Sequence, residues 1–357
     1  MLRVLHLPVN LGSQASVTVC ALRDIGVDAR GLVRSSTVYQ DARGLEAHKV
    51  GSLKEHPVRA RLQRLTWWWA VARALRWADV VHWHSRSRAL PGSLDLKYLA
   101  RVHKPRVVEF WGTDIRIPRI ASADNPYYAA IYDRDPAKTA RWARMAEKAL
   151  TRFARHGLEC LIPTAEMMPY AREAPFPHIH ATLARVMTDE FDPSYPDPHT
   201  PRPVVVHTPS SKGKKGTAAV EVAVERLRPT HDFAFHLVHG MPRAEALEIV
   251  RGCDVMVDEL VSGSYGVATL EAMALGKPVI CYLKPSLLSK YPADCPIVNA
   301  TQENIADVLG GLLRDGPRRH QVGRASRAYV EKHHDAHKIA RDLVRIYEEL
   351  IEKSKRR

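Results

Sequence analysis

The sequence predicts an α/β protein built from two domains, each around a parallel sheet. Three observations carry the prediction. The chain opens strand, Gly-containing loop, helix, strand, in the segments LRVLHLP, VNLGSQA, ASVTVCALRDIG and DARGLVR, the alternation from which parallel sheets are built. The same alternation restarts at PVVVHTPSSKGKKGT. Between the two series lies FDPSYPDPHTPRPVV, Pro-rich sequence that is stiff and continues neither a helix nor a central strand. It reads as an interdomain linker.

The elements follow in order. After the opening unit, RARLQRLTWWWAVARALRW (59–77) has helical spacing, with Leu65, Trp68, Ala72 and Leu75 on one face and Arg61 and Arg64 off it. A basic, Trp-bearing helix of this kind either packs as core under its Arg stems or lies on an anionic membrane. ADVVHWHS (78–85) and PRVVEFWGTD (105–114) are strands with polar residues at their C-terminal ends, where open α/β sheets bind ligands. Residues 115–197 are less regular, with a helix from Pro136 to Arg155 and a strand in LECLIPTA. The second series runs strand, Lys-rich loop, helix 217–228, strand 233–238, a turn at HGMP, helix 242–251 and strand 254–261. The stretch DELVSGSYGVATLEAMALGKPVICY follows, a loop and helix between two apolar runs. Helices near 302–315 and 317–353, the latter broken, close the chain.

Composition bounds the function. With 357 residues, 45% of them hydrophobic, the chain can form two proper cores. No apolar run reaches membrane-helix length, and MLRVLHLPVN reads as a first strand rather than a secretory signal. The five cysteines (20, 160, 253, 281, 295) are scattered without a CxxC pair, which fits a cytoplasmic protein and argues against a structural zinc site. The net charge of +14, with Arg over Lys by 37 to 16, attracts polyanions. Zinc-finger spacing, RNA-binding aromatic signatures and a bZIP pattern are all missing, so nucleic acid is not the expected partner. Phosphate-rich ligands or lipid headgroups are.

Several motifs, in order, resemble glycosyltransferase family 4. YGVATLEAMALGKPVICY resembles that family's nucleotide-binding signature, and KGKKGT the Lys-Gly step that opens its C-terminal domain. DVVHWHS is similar to its D-V-V-H-x-H strand end, and FWGTDIR to its F-H-G-S-D loop. The resemblance implies the GT-B fold: two Rossmann-like, doubly wound domains facing a cleft, with a C-terminal helix crossing back to the first. The expected domains are 1–195, binding the acceptor, 203–335, binding the nucleotide sugar, and a returning helix at 336–357. The implied activity moves a sugar from a nucleotide-diphosphate donor, UDP- or GDP-linked, to an acceptor hydroxyl with retention of configuration. No permanently bound cofactor and no metal are implied. The acceptor is a small molecule, a glycan or a lipid-linked molecule, and peripheral contact at the inner membrane face is compatible with it. The contrasting expectations are a nucleotide-sugar-binding protein without transfer, or a GT-B epimerase.

The residues can be weighed one by one. SGSYG at a helix N-terminus suits phosphate, because free N–H groups and the helix dipole point there. Ser264, Tyr265, Gly266 and Val267 are therefore donor-binding candidates, and Glu271 is placed by the resemblance on the ribose diol. Gly263 departs from the family pattern, which has a Glu eight residues before the second one. Asp258 or Glu259, just upstream, is the candidate substitute. Lys215 and Lys212 are assigned to the diphosphate, since fixed cations stabilise the charge that develops on the leaving group. Lys214 is expected to face solvent. Ser210, which stands where the family has Arg, and Met241, in the HGMP turn, are further donor-binding candidates. Gly12 and Ser13 open the first helix and offer backbone N–H groups. His82 and His84, two residues apart, share one strand face. Metal binding there lacks a third ligand, so His84 is read either as a hydrogen-bonding partner of substrate or as structural. Trp111, in place of the family's His, offers a sugar platform, and Asp114 either orients an acceptor hydroxyl or caps the next segment.

Overall fold

Residues 1–50 and 56–356 are described in the structure, a computed structural model. Short runs of Val, Ile and Leu become the central strands of two parallel sheets. The first contains β1 (Arg3–Leu7), β2 (Asp28–Val33), β3 (Leu45–Ala47), β4 (Val80–His84), β5 (Arg106–Glu109), β6 (Glu159–Ile162) and β7 (Ile179–Ala181). Its order is β3-β2-β1-β4-β5-β6-β7. The second contains β8 (Val204–His207), β9 (Ala234–Leu237), β10 (Val255–Val257), β11 (Val279–Cys281) and β12 (Val298–Asn299), in the order β12-β11-β10-β8-β9. Every pairing is parallel. Central strands such as VVHWH and VMV are buried on both faces, as helix-covered parallel sheets require.

Contacts divide the chain into two units. One comprises Met1–Ile117, Ala140–Leu183 and Ala336–Arg357; the other comprises Pro118–Thr139 and Ala184–Asp335. The division departs from a first domain running unbroken to 195. Asn125 shows why 118–139 sit with the second unit. Its Oδ1 accepts from the backbone of Tyr127 and Tyr128, capping a helix, while its Nδ2 donates to the Val261 carbonyl at 2.7 Å. Nor does the Pro-rich segment act as a free linker. Ser194 N–H donates to the Leu275 carbonyl at 2.9 Å, Lys277 donates to the Ser194 carbonyl, and His320 Nδ1 lies 2.9 Å from the Pro196 carbonyl. Backbone groups of Ser194 and Pro196 are therefore bonded within the second unit.

The last helix, Ala336–Lys355, belongs to the first unit. Ile339, Ala340, Leu343, Tyr347 and Leu350 form its buried face, and the Lys353 ammonium meets Glu159 at 3.0 Å. A break at His334 and Asp335 separates it from the preceding helix, Gly316–His333. Among the described residues no helix is long and apolar enough to cross a membrane.

The helix Pro57–Trp77 buries Ala60, Trp67, Val71 and Leu75. That face is rotated from the expected one: Leu65 and Trp68 point outward while Leu75 stays inside. The small Ala60 and Val71 allow close approach to the sheet, and Trp67 fills the space and donates its ring N–H to the Ala89 carbonyl at 2.7 Å. A second stripe of Val58, Leu62, Leu65 and Trp69 lies exposed, at 69%, 59%, 56% and 66%.

Candidate functional site

In the second unit the strand order reverses beside β8, with β9 on one side and β10 on the other. Crevices at the C-terminal ends of strands around such a reversal are where open α/β sheets bind ligands. Residues 208–216 leave β8 there, and 258–266 leave β10. His207 pins the two strands and the next helix together. Its Nδ1 donates to the Val257 carbonyl at 2.7 Å, and Nε2 accepts from Thr217 Oγ1 at 2.9 Å. Burial lowers its pKa, consistent with a neutral ring.

The Lys-rich loop forms a single helical turn, Lys212–Lys215. Lys212 and Lys214 are exposed and Ser210 is exposed before them. Lys215 turns inward, its ammonium 3.0 Å from Asp258 Oδ1 and 3.0 Å from Glu259 Oε2. Burial alone would lower its pKa, but the two carboxylates override this and raise it well above the ordinary lysine value. Asp258 is correspondingly depressed: burial opposes ionisation, and Lys215 with the Thr269 hydroxyl overcomes it. Both acids considered as replacements for the missing Glu are thus engaged by Lys215. The Lys-Gly step has a physical basis. Lys215 carbonyl accepts from Leu260 N–H at 3.2 Å, and Gly216, at φ +77°, approaches so closely that a Cβ would lie 3.0 Å from that of Leu260.

The helix Val267–Ala274 starts at Gly266 without a side-chain cap, so its first N–H groups are available to an anion. Gly266 and Val267 are partly exposed. Ser264 and Tyr265 are buried instead. Ser264 Oγ accepts from Tyr291 at 2.9 Å, and the Tyr265 hydroxyl meets Tyr329 at 3.0 Å and His334 Nε2 at 3.1 Å. Their side chains hold the loop's shape. Glu271, one turn into the helix, is partly exposed and accepts through Oε1 from Arg243 Nε at 2.9 Å and Nη2 at 2.7 Å. Arg243 went unnoticed in the sequence, although it immediately follows the HGMP turn that contains Met241, itself half-buried. Gly263 sits at φ +76°, where a Cβ would lie 2.8 Å from Lys284 Cβ. No side chain fits there without movement. Lys284 in turn pairs with Asp124 at 2.7 Å.

In the first unit the reversal of strand order falls between β1 and β4. Gly12 and Ser13 follow β1 in left-handed conformation. Asn10 Oδ1 accepts from the N–H groups of Ala15 and Ser16, at 3.1 and 3.3 Å, and the Ser13 hydroxyl accepts from Asp41 N–H at 2.8 Å. Part of that helix N-terminus is therefore satisfied internally. Asp114 is buried and accepts from Trp111 N–H at 3.1 Å. Burial raises its pKa, and its place in the loop is that of a cap. Trp111 is half-buried. His82 and His84 are fully buried and face inward, alongside His6 and Glu109. As placed, His84 has no surface for substrate.

Among solved structures the chain is similar to sucrose-phosphate synthase from Thermosynechococcus elongatus, with a TM-score of 0.69 and 12% identity over 99% of this chain and 100% of that one. It is also similar to Anabaena HepE in complex with UDP-glucose, with a TM-score of 0.63 and 12% identity over 98% and 100%. WaaG, a glycosyltransferase of lipopolysaccharide biosynthesis, aligns with a TM-score of 0.59 and 13% identity over 97% and 99%. No protein-family model and no curated protein matches the sequence. At these identities the likeness establishes architecture, and the architecture is that of the GT-B glycosyltransferases: two Rossmann-like units of parallel sheet and flanking helices.

Proposed function

We propose that the chain is a glycosyltransferase that takes a nucleoside-diphosphate sugar and transfers the sugar with retention of configuration. One observation carries the reading. At the switch point of the second sheet, an uncapped eight-residue helix presents its N-terminus and, one turn on, a carboxylate oriented by Arg243. The helix end suits a diphosphate. Glu271 suits a ribose diol, which donates to a carboxylate. Lys212, exposed on the neighbouring turn two residues after Ser210, where the family has Arg, would supply a cation to the leaving diphosphate, with Lys215 behind it. The likeness to HepE in complex with UDP-glucose supports UDP as the first nucleotide to try. A thermal-shift panel of UDP, GDP and their sugars tests this. A cognate ligand at 100 times its Kd adds about 2.7 kcal/mol. Absence of any shift across the panel, or an unchanged shift in Glu271→Ala, would overturn the nucleotide assignment.

A second reading, donor binding without transfer, is favoured by one observation: Gly263 leaves no room for the sugar-contacting acid, and Asp258 and Glu259 are held by Lys215. Release of nucleoside diphosphate in the presence of glycan and lipid-linked acceptors separates the two.

The exposed stripe supports peripheral attachment to an anionic bilayer. Val58, Leu62, Leu65 and Trp69 fall within about 60° of helical arc, and exposed Arg59, Arg61 and Arg73 flank them. Apolar insertion with basic flanks is the pattern of interfacial helices. Sedimentation with phosphatidylglycerol vesicles should be lost in Leu62→Glu/Trp69→Glu, and equal binding to phosphatidylcholine would argue against it.

A further inference from the structure

His82 and His84 offered no third metal ligand in the sequence, but strand pairing supplies one. His6 of β1 stands in register with His82 of β4, and His84 stands in register with Glu109 of β5. Side chains two residues apart on a strand share a face, so three adjacent strands bring three imidazoles and a carboxylate together. One ligating atom from each of His6, His82 and His84 lies within 4.8 Å of the other two. His6 Nδ1 is 2.9 Å from His84 Nε2, and Glu109 Oε2 is 3.4 Å from both His82 Nε2 and His84 Nδ1. The Tyr347 hydroxyl, from the returning helix, lies 2.7 Å from His82 Nδ1. His82, His84 and Glu109 have no exposed surface, and His6 has 1%.

We propose that His6, His82 and His84 bind a divalent transition metal, zinc in the first instance, with Glu109 orienting the His84 ring through Nδ1 and Tyr347 the His82 ring through Nδ1. Three neutral imidazoles are an established zinc set, and Zn–N bonds of about 2.0–2.1 Å place tetrahedral nitrogens about 3.3 Å apart. The His6–His84 spacing reaches that value by opening a few tenths of an ångström, and the His82 and His84 rings, stacked 4.4 Å apart at 11°, turn so that both face the ion. The ligand type also suits Zn²⁺ over Mg²⁺ or Ca²⁺, which take oxygen. A carboxylate on the far side of a ligating imidazole is the usual arrangement around such ions, and His84 has Glu109 at Nδ1 and His6 at Nε2. Because the cluster is enclosed, the ion would enter as the sheet and the helix Ala336–Lys355 come together, and its role would be structural. This is independent of the nucleotide site, which lies in the other unit.

The test uses untagged full-length protein expressed with zinc. After dialysis against a weak chelator, elemental analysis should find about one zinc per chain, and His6→Gln and His84→Gln should each lose it. Cobalt substitution should give the intense visible bands of a tetrahedral site, and a strong chelator should lower the melting temperature. If the variants fail to fold, metal content and the cobalt spectrum of the wild type decide alone. Metal removed by the weak chelator, metal retained in His84→Gln, or a melting temperature indifferent to zinc and chelator would each overturn the proposal.

Discussion

Replacing Lys215 by Met should unfold the second unit far more readily, before any effect on chemistry is read. Its ammonium bridges Asp258 and Glu259, both at 3.0 Å. Asp258 is buried and keeps only Thr269 Oγ1, at 2.5 Å, from the hydrogen bonds that stabilise its charge here. Removing one partner of a buried ion pair costs about 3–5 kcal/mol, because the other charge stays behind uncompensated. Glu259 is partly solvated and adds little. For a unit of 150–250 residues each kcal/mol is worth about 2–4 °C, so Lys215→Met should melt about 6–20 °C lower. The sign of the pH dependence follows. Asp258 has a folded pKa held below its unfolded value, so its contribution is present above the unfolded value and fades as pH falls. In Lys215→Met the orphaned acid takes up a proton instead, and the deficit against wild type should narrow toward pH 4. Differential scanning calorimetry across pH measures both effects. The double variant Lys215→Met/Asp258→Asn should regain at least half of the loss, since neither charge remains. A single variant within about 2 °C of wild type, or a double variant whose losses add, would refute the reasoning.

Gly263→Glu should destabilise by about 2–5 kcal/mol, from left-handed backbone plus overpacking against Lys284; an unchanged urea midpoint would contradict this. His334 donates Nδ1–H to the Ala184 carbonyl and accepts from Tyr265 at Nε2, and burial lowers its pKa from 6.5 to about 4. The unfolded chain therefore binds a proton first, and stability is lost as pH falls from 6.5 toward 4, by up to about 3 kcal/mol. His334→Gln should flatten that limb in denaturation at several pH values. Arg243→Met should change stability by no more than about 1 kcal/mol, because the pair is partly exposed, yet weaken nucleoside-diphosphate binding about tenfold by calorimetry, since Glu271 loses its orientation.

The fold was legible because both parallel sheets announce themselves through apolar runs broken by loops at regular intervals. The unit boundaries were harder to read. Nothing local in 118–139 says that Asn125 will bond Val261, more than a hundred residues away, and a Pro-rich segment looks like a linker whether or not its carbonyls find partners. At the site, Glu271 and the Lys-Gly step were visible as sequence patterns. What Lys215 bonds to was not, because Asp258 and Glu259 reach it only once β8 and β10 lie side by side. His6 was hidden for the same reason: a lone His in a first strand acquires meaning only when its register with His82 is known. The helix 57–77 shows a different difficulty. It carries apolar residues on two opposite faces, so periodicity alone cannot say which one the sheet covers.

Gly263 and Lys284 are best understood as one exchange rather than a single loss. A positive φ at 263 turns the loop so that its carbonyl accepts from Lys284 N–H at 3.0 Å, and the Lys284 stem fills the space a side chain at 263 would enter. The ammonium at the end of that stem is held by Asp124, just before the capping residue Asn125, whose amide donates to Val261 two residues upstream of Gly263. The loop is therefore braced from outside, by a segment that joins this unit from elsewhere in the chain. An acid restored at 263 would have to displace the stem, and with it the Lys284–Asp124 pair that ties 118–139 to the loop. Meanwhile the helix N-terminus at Gly266 and the Arg243–Glu271 pair make no contact that needs a side chain at 263. On the proposed reading, the nucleotide end would rest on helix amides and Glu271, and the sugar end would be met by backbone or by groups from outside the loop.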